Sequence, residues 1–111
     1  MVYGKIQMDY QNFWKIYFNI NKMKIEIELF GASRDFSDKN SLKLEVNENS
    51  TIKDIKKKIL DYLDKNFNGN ENFKKIVNSS AFCSKNNNII SDNYKITKDE
   101  KIAIIPPIGG G

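Results

Sequence analysis

The chain has 111 residues, 40% of them apolar, with one cysteine, no histidine and a formal net charge of +4. That is the length of one domain, with enough apolar side chains for a core that needs neither disulfides nor a structural metal, and Cys83 alone cannot make a Cys/His zinc site or a Cys-His or Ser-His nucleophile pair. Arg34 is the only arginine, and arginine is the side chain that reads base edges and phosphates bidentately, so no nucleic-acid partner is expected.

Residues 1–22 carry six aromatics, Tyr3, Tyr10, Phe13, Trp14, Tyr17 and Phe18, without a clean period. Two readings compete: an extension that packs or binds something, or a start codon assigned too early, with Met23 as the true first residue. The second is preferred, because a complete domain begins at Met23. An organellar presequence fits poorly, since the segment has no arginine and contains Asp9.

From Met23 the pattern alternates, with Ile25, Ile27 and Leu29 on one face of a predicted strand. Gly31 to Lys39 reads as a polar loop. Leu42, Leu44 and Val46 alternate with Lys43 and Glu45 in a second strand, most economically joined to the first as an antiparallel hairpin. Asn49-Ser50-Thr51 offers N-cap residues, and Thr51 with Asp54 has capping-box spacing. Ile52, Ile55, Ile59, Leu63 and Phe67 then recur at helical spacing, opposite Lys53, Lys56, Lys57 and Asp61, and Gly69 can take a left-handed cap. A short helix is expected around Phe73, Ile76 and Val77, a third strand over 80–84, a turn at Lys85 to Asn88, and renewed apolar character at Ile89 and Ile90. After a turn at Thr97 to Glu100, Lys101 to Ile105 reads as a last strand, nearly continuously apolar and so buried on both faces. The order is strand, strand, helix, strand, strand: an α+β domain whose main helix covers one sheet face.

The chain ends Ile104-Ile105-Pro106-Pro107-Ile108-Gly109-Gly110-Gly111. Proline has no N–H for a ladder, so the sheet must stop at Ile105, and the Pro-Pro pair holds the exit stiff and extended. Three glycines at the very end can enter a channel too narrow for any side chain. A frayed tail is the bland alternative. Against it stand the glycines' terminal position, the buried strand just before them and the rigid diproline that aims them outward. No apolar run spans a membrane, and no secretory signal is visible. With a single cysteine, a cytoplasmic location without a membrane partner is expected.

From Met23 to Gly111 the sequence resembles the ubiquitin-like β-grasp superfamily and, within it, the small sulfur-carrier subunits of molybdopterin synthase (MoaD/ThiS-type). The resemblance rests on Leu29-Phe30-Gly31-Ala32-Ser33-Arg34-Asp35, on Thr51 followed by Ile52 and Ile55, on Ile96 to Ala103, and above all on apolar-Pro-Pro-apolar-x-Gly-Gly at Ile105 to Gly111. The N-terminal extension and the asparagine run at Asn86 to Asn88 depart from the family pattern.

The resemblance implies a four-to-five-stranded mixed sheet with one main helix on one face: residues 23–111 as the domain, 106–111 as its tail. It implies a protein that is not catalytic alone. A ubiquitin-activating-like adenylyltransferase would use ATP to adenylate Gly111, and a sulfur donor would displace AMP to leave a thiocarboxylate. The molybdopterin synthase large subunit would admit Pro106, Pro107, Ile108, Gly109 and Gly110 into its channel, and the sulfur would pass to cyclic pyranopterin monophosphate. By position, Phe30, Arg34 and Ile105 would contact the partner. Ordinary packing is the competing reading for Phe30 and Ile105, and a solvated loop charge for Arg34. No metal and no bound cofactor are expected, and Cys83 reads as a small strand or core residue. The rival functions are sulfur carriage for thiamine thiazole synthesis, ubiquitin-like modification of lysines and, in a different class, a β-grasp interaction domain with an inert tail.

Overall fold

The computed structural model describes residues 22–108, so the readings of residues 1–21 and of Gly109, Gly110 and Gly111 lie outside the described residues. Strand β1 (Lys22–Leu29) leads through a 3-10 turn (Gly31–Phe36) to β2 (Ser41–Asn47). Helices α1 (Ile52–Phe67) and α2 (Glu71–Ser79) follow, then β3 (Ala81–Cys83), β4 (Ile89–Ile90) and β5 (Glu100–Ile105). The strands form one mixed sheet in the order β2-β1-β5-β3-β4. β1 and β2 make the expected antiparallel hairpin, β5 runs parallel to β1, and β3 lies antiparallel to both β5 and β4.

The core follows from two periods meeting. Ile25, Ile27 and Leu29 of β1, Leu42 and Val46 of β2, and Ile102 and Ile104 of β5 point to one face. There they meet the apolar stripe of α1, Ile52, Ile55, Ile59 and Leu63, all fully buried. Each such side chain removed from water contributes roughly 1.5–3 kcal/mol. The capping box forms as the sequence suggests. The Asp54 N–H donates to Thr51 Oγ1 at 3.3 Å, and the Thr51 N–H donates to Asp54 Oδ2 at 3.0 Å. At the other end Asn68 is the cap residue in the left-handed conformation, which asparagine tolerates because its side chain bonds locally, and Gly69 after it also has a positive φ, +68°.

Two expectations are corrected. The segment read as a polar loop contains the 3-10 turn, and Phe36 at its end is fully buried, 5.2 Å from the Phe73 ring between centroids. The turn is tied at both ends, since the Ser33 hydroxyl donates to the Phe30 carbonyl at 2.6 Å and the Tyr62 hydroxyl donates to the Phe36 carbonyl at 2.6 Å. β5, in turn, is not buried on both faces: Ile102 and Ile104 are buried, but Ala103 and Ile105 are half-buried on the opposite face. The helices cover only one side of the sheet, so alternate residues of a central strand still face outward.

Candidate functional site

The site is built where β5 leaves the sheet. Leu29 of β1 is the parallel partner of Ile104, so both strands leave on the same side. β1 then turns away at Phe30, and β5 runs on into Pro106. This proline is buried. Gly31 lies beside it with φ +55°, and a Cβ placed there would sit 3.8 Å from both Cγ and Cδ of Pro106, an ordinary van der Waals distance, so the left-handed backbone and not the space favours glycine here. Pro107 is exposed, and Ile108 is 95% exposed. Pro106 is thus the last buried residue at this exit, and Pro107 and Ile108 are exposed beyond it.

Around this exit the outer face of the sheet is apolar. Phe30 is 37% exposed, and Ile105, Ala103 and Cys83 lie half-buried beside one another, with Cys83 directly paired to Ala103 across β3 and β5. They floor a shallow cavity of about 290 Å³, rimmed by Lys85, Lys101 and Glu28. Two cations and one acid bordering an apolar floor suit a protein surface that is apolar at its centre and acidic at its rim. Arg34 projects from the last turn of the 3-10 element, exposed, and makes no ion pair among the described residues.

Phe30, Ile105 and Pro106 are thus brought together. Neither Phe30 nor Ile105 belongs to the buried core. Pro107 and Ile108 continue outward from them, and Arg34 lies on the neighbouring turn. Gly31, Cys83, Lys85 and Lys101 were not singled out as site residues from sequence. Lys101 was legible, since it shares the outward face with Ala103 and Ile105 at a spacing of two; Cys83 and Lys85 reach the site only through the β3–β5 pairing.

Electrostatics near the strand's other end are quieter. The Tyr94 hydroxyl donates to Glu100 Oε1 at 3.1 Å, and its pKa is raised by burial first and by Glu100 second. Among the described residues, no three His, Cys, Asp or Glu side chains lie close enough to hold a metal ion. No helix among them is long and apolar enough to cross a membrane. The chain has no histidine, so no imidazole takes part in this arrangement. What it offers is an exposed strand exit, Pro107 and Ile108, beside an apolar platform.

The sequence model of the ThiS family matches residues 27–111. The chain belongs to the ThiS family. This ThiS-family chain has no match among curated proteins, but several solved structures share its fold. A putative molybdopterin converting factor, subunit 1, from Pyrococcus furiosus is 15% identical and superposes with a TM-score of 0.59 over 78% of this chain and 99% of its own. Small archaeal modifier protein 1 of Haloferax volcanii is 13% identical, with a TM-score of 0.57 over 78% of this chain and 99% of its own. A ubiquitin from Caldiarchaeum subterraneum is 20% identical, with a TM-score of 0.52 over 82% of this chain and all of its own. The fold is the ubiquitin-like β-grasp of the sulfur-carrier type.

Proposed function

We propose that this ThiS-family protein is the sulfur-carrier subunit of a molybdopterin synthase. The observation that carries the reading is the exit. A central strand ends on a buried proline beside Gly31, an exposed Pro107-Ile108 pair follows, and the sequence closes with three glycines.

A carboxylate is a poor electrophile because its leaving group would be oxide. In the proposed cycle the Gly111 carboxylate attacks the α-phosphate of ATP on an activating adenylyltransferase, releasing pyrophosphate and forming an acyl-adenylate. Hydrosulfide then displaces AMP and loses its proton, leaving Gly111 as a thiocarboxylate. With a persulfide donor, displacement of AMP gives an acyl disulfide, whose S–S bond a second thiol cleaves to release the thiocarboxylate and a disulfide. That soft, anionic sulfur is a good nucleophile, and the tail delivers it into the large subunit's channel at high effective concentration. There it attacks cyclic pyranopterin monophosphate, and each cycle returns the Gly111 carboxylate once water cleaves the acyl–sulfur bond. Acid–base groups come from the partners, in keeping with a chain that has no histidine. Phe30, Ile105, Lys85 and Lys101 would form the docking platform, and Gly109 and Gly110 would thread the large subunit's channel.

A second reading, ubiquitin-like modification of lysines, is favoured by the fold shared with small archaeal modifier protein 1 and with a ubiquitin. The acceptor separates the two. Thiocarboxylated protein should convert cyclic pyranopterin monophosphate to a dithiolene product in the presence of the large subunit from the same genome. If instead it yields only isopeptide-linked conjugates when supplied with ATP and the activating enzyme, the modifier reading replaces the synthase one. Sulfur carriage to a thiazole precursor remains the third acceptor to test.

A further inference from the structure

The sheet has two edges, β2 and β4, and they are not equivalent. β4 is two residues long. β2 spans seven residues without proline, and its register with β1 stays constant from Lys22–Asn47 to Glu28–Ser41, so it holds no bulge. Long, regular, uncovered edges are normally avoided, because their free N–H and C=O groups template another strand.

Which groups are free follows from the ladder. The Leu29 N–H donates to the Asn40 carbonyl at 2.9 Å, which makes 29 and 40 a hydrogen-bonded pair. In an antiparallel ladder such pairs alternate, so Ile27–Leu42, Ile25–Leu44 and Met23–Val46 are hydrogen-bonded too. Ser41, Lys43, Glu45 and Asn47 therefore turn their N–H and C=O groups outward. The Lys24 N–H, which donates away from β2 to Asp99 Oδ1 at 2.7 Å, fits the same parity. Asn47 spends its carbonyl on the Ser50 N–H, whereas Lys43 and Glu45 at the centre of the edge have no backbone partner among the described residues.

The side chains on the outer face carry a second pattern. Lys101 of β5 is paired with Glu26 of β1, and Glu26 with Lys43 of β2. One residue pair further along, Lys24 faces Glu45. Charge alternates in sign across the sheet, and both rows stop at the β2 edge.

We propose that this edge pairs with the β2 edge of a second copy of the chain, antiparallel, with a two-fold axis through Leu44. In that register Lys43 lies opposite Glu45 of the second copy, and Glu45 opposite its Lys43. All four residues present outward backbone groups, so the two pairs exchange four hydrogen bonds. Both charge rows continue unbroken, Lys101–Glu26–Lys43 meeting Glu45–Lys24 of the second copy. Moving the axis by one residue to Lys43 or to Glu45 keeps the backbone parity but sets like charges face to face, so charge selects the register centred on Leu44. On the helix side the half-buried Leu44 meets its own counterpart across the close, non-hydrogen-bonded position, closing the groove of about 380 Å³ between β2 and α1 that Tyr62 and Lys58 line. The interface is isologous, so it closes at two copies. It leaves the β5 exit and the platform around Ile105 uncovered, and the dimer presents two tails.

The test is sedimentation of the full chain from micromolar to millimolar concentration, with two variants, Lys43→Glu and Glu45→Lys. Each variant on its own places two like-charge pairs in the dimer, and its dissociation constant should rise by about tenfold or more. Mixed one to one, they form a heterodimer in which Glu at 43 faces Lys at 45 and the wild-type Lys43 faces Glu45, so dimer mass returns. The mismatch each substitution makes within its own chain, against Glu26 or Lys24, is the same alone and in the mixture and cancels. A wild-type chain that stays monomeric throughout overturns the proposal, as does a dimer indifferent to either substitution. A mixture no more dimeric than the separate variants overturns the register. None of these readings depends on sulfur loading.

Discussion

Gly31 lies beside Pro106, with the place of a Gly31 Cβ 3.8 Å from two ring carbons of the proline. This contact joins the end of β1 to the end of β5 and sets the direction in which the tail departs. The space would admit a methyl group at ordinary van der Waals distance; the backbone is less permissive, since φ at Gly31 is +55°.

Gly31→Ala should therefore destabilise the domain through backbone strain and not through collision, by about 1–2 kcal/mol, the cost of a left-handed L-residue. Urea titration reads it directly. Gly31→Asn, which tolerates that region, should recover much of the loss, and equal losses for the two variants would contradict the strain argument.

Phe36 anchors the 3-10 turn in the core against Phe73, whose ring also meets Phe67 at 5.1 Å. Phe36→Ala should cost about 3–5 kcal/mol, by lost transfer energy and the cavity left behind. A change under about 1 kcal/mol in denaturant titration would mean that the turn is not packed as described.

Much of this architecture was legible. Ile52, Ile55, Ile59 and Leu63 mark the buried stripe of α1 by spacing alone, and Thr51 with Asp54 marks its start. The alternations at Ile25-Ile27-Leu29 and Leu42-Leu44-Val46 give the hairpin. The buried Phe36 was not legible, because it is a lone aromatic among Ser, Arg, Asp and Lys and shows no period. Nor was the parallel pairing of β1 with β5, a contact between residues some 75 apart whose register is fixed by packing. For the site, the Pro-Pro-x-Gly-Gly-Gly ending was readable from the sequence. The platform beside it was only half readable, since Cys83 and Lys85 reach it through strand pairing.

The capping box makes stability depend on acid pH. The Thr51 backbone N–H, and after it the Thr51 hydroxyl, hold the Asp54 carboxyl below its ordinary value of 3.8. A lowered folded pKa means that its contribution is complete above 3.8 and is lost as the pH falls through the lower folded value. Thermal melts of wild type and Asp54→Asn should differ at neutral pH and converge at strongly acid pH. Thr51→Ala should cost about 1 kcal/mol at neutral pH. A gap between Asp54→Asn and wild type that widens on acidification would contradict the sign.

Phe30 is exposed beside the exit and outside the core, so Phe30→Ala should change stability by less than about 1 kcal/mol. If it forms part of the docking platform, loading by the activating enzyme should slow by at least about tenfold, as for an aromatic at an interface centre. Reversing Lys101 to Glu should slow loading less, and the difference should shrink with added salt. Unchanged loading in Phe30→Ala would place the partner elsewhere.

The central claim concerns the terminal carboxylate, and intact mass tests it most directly. The purified protein would be incubated with the ubiquitin-activating-like enzyme of its own genome, ATP and a sulfide source, beside a chain lacking Gly111. The account predicts a mass gain equal to one oxygen replaced by sulfur, absent from the shortened chain. An unchanged mass, with an enzyme shown to be active on another carrier, would contradict it and leave a β-grasp interaction domain with an inert tail.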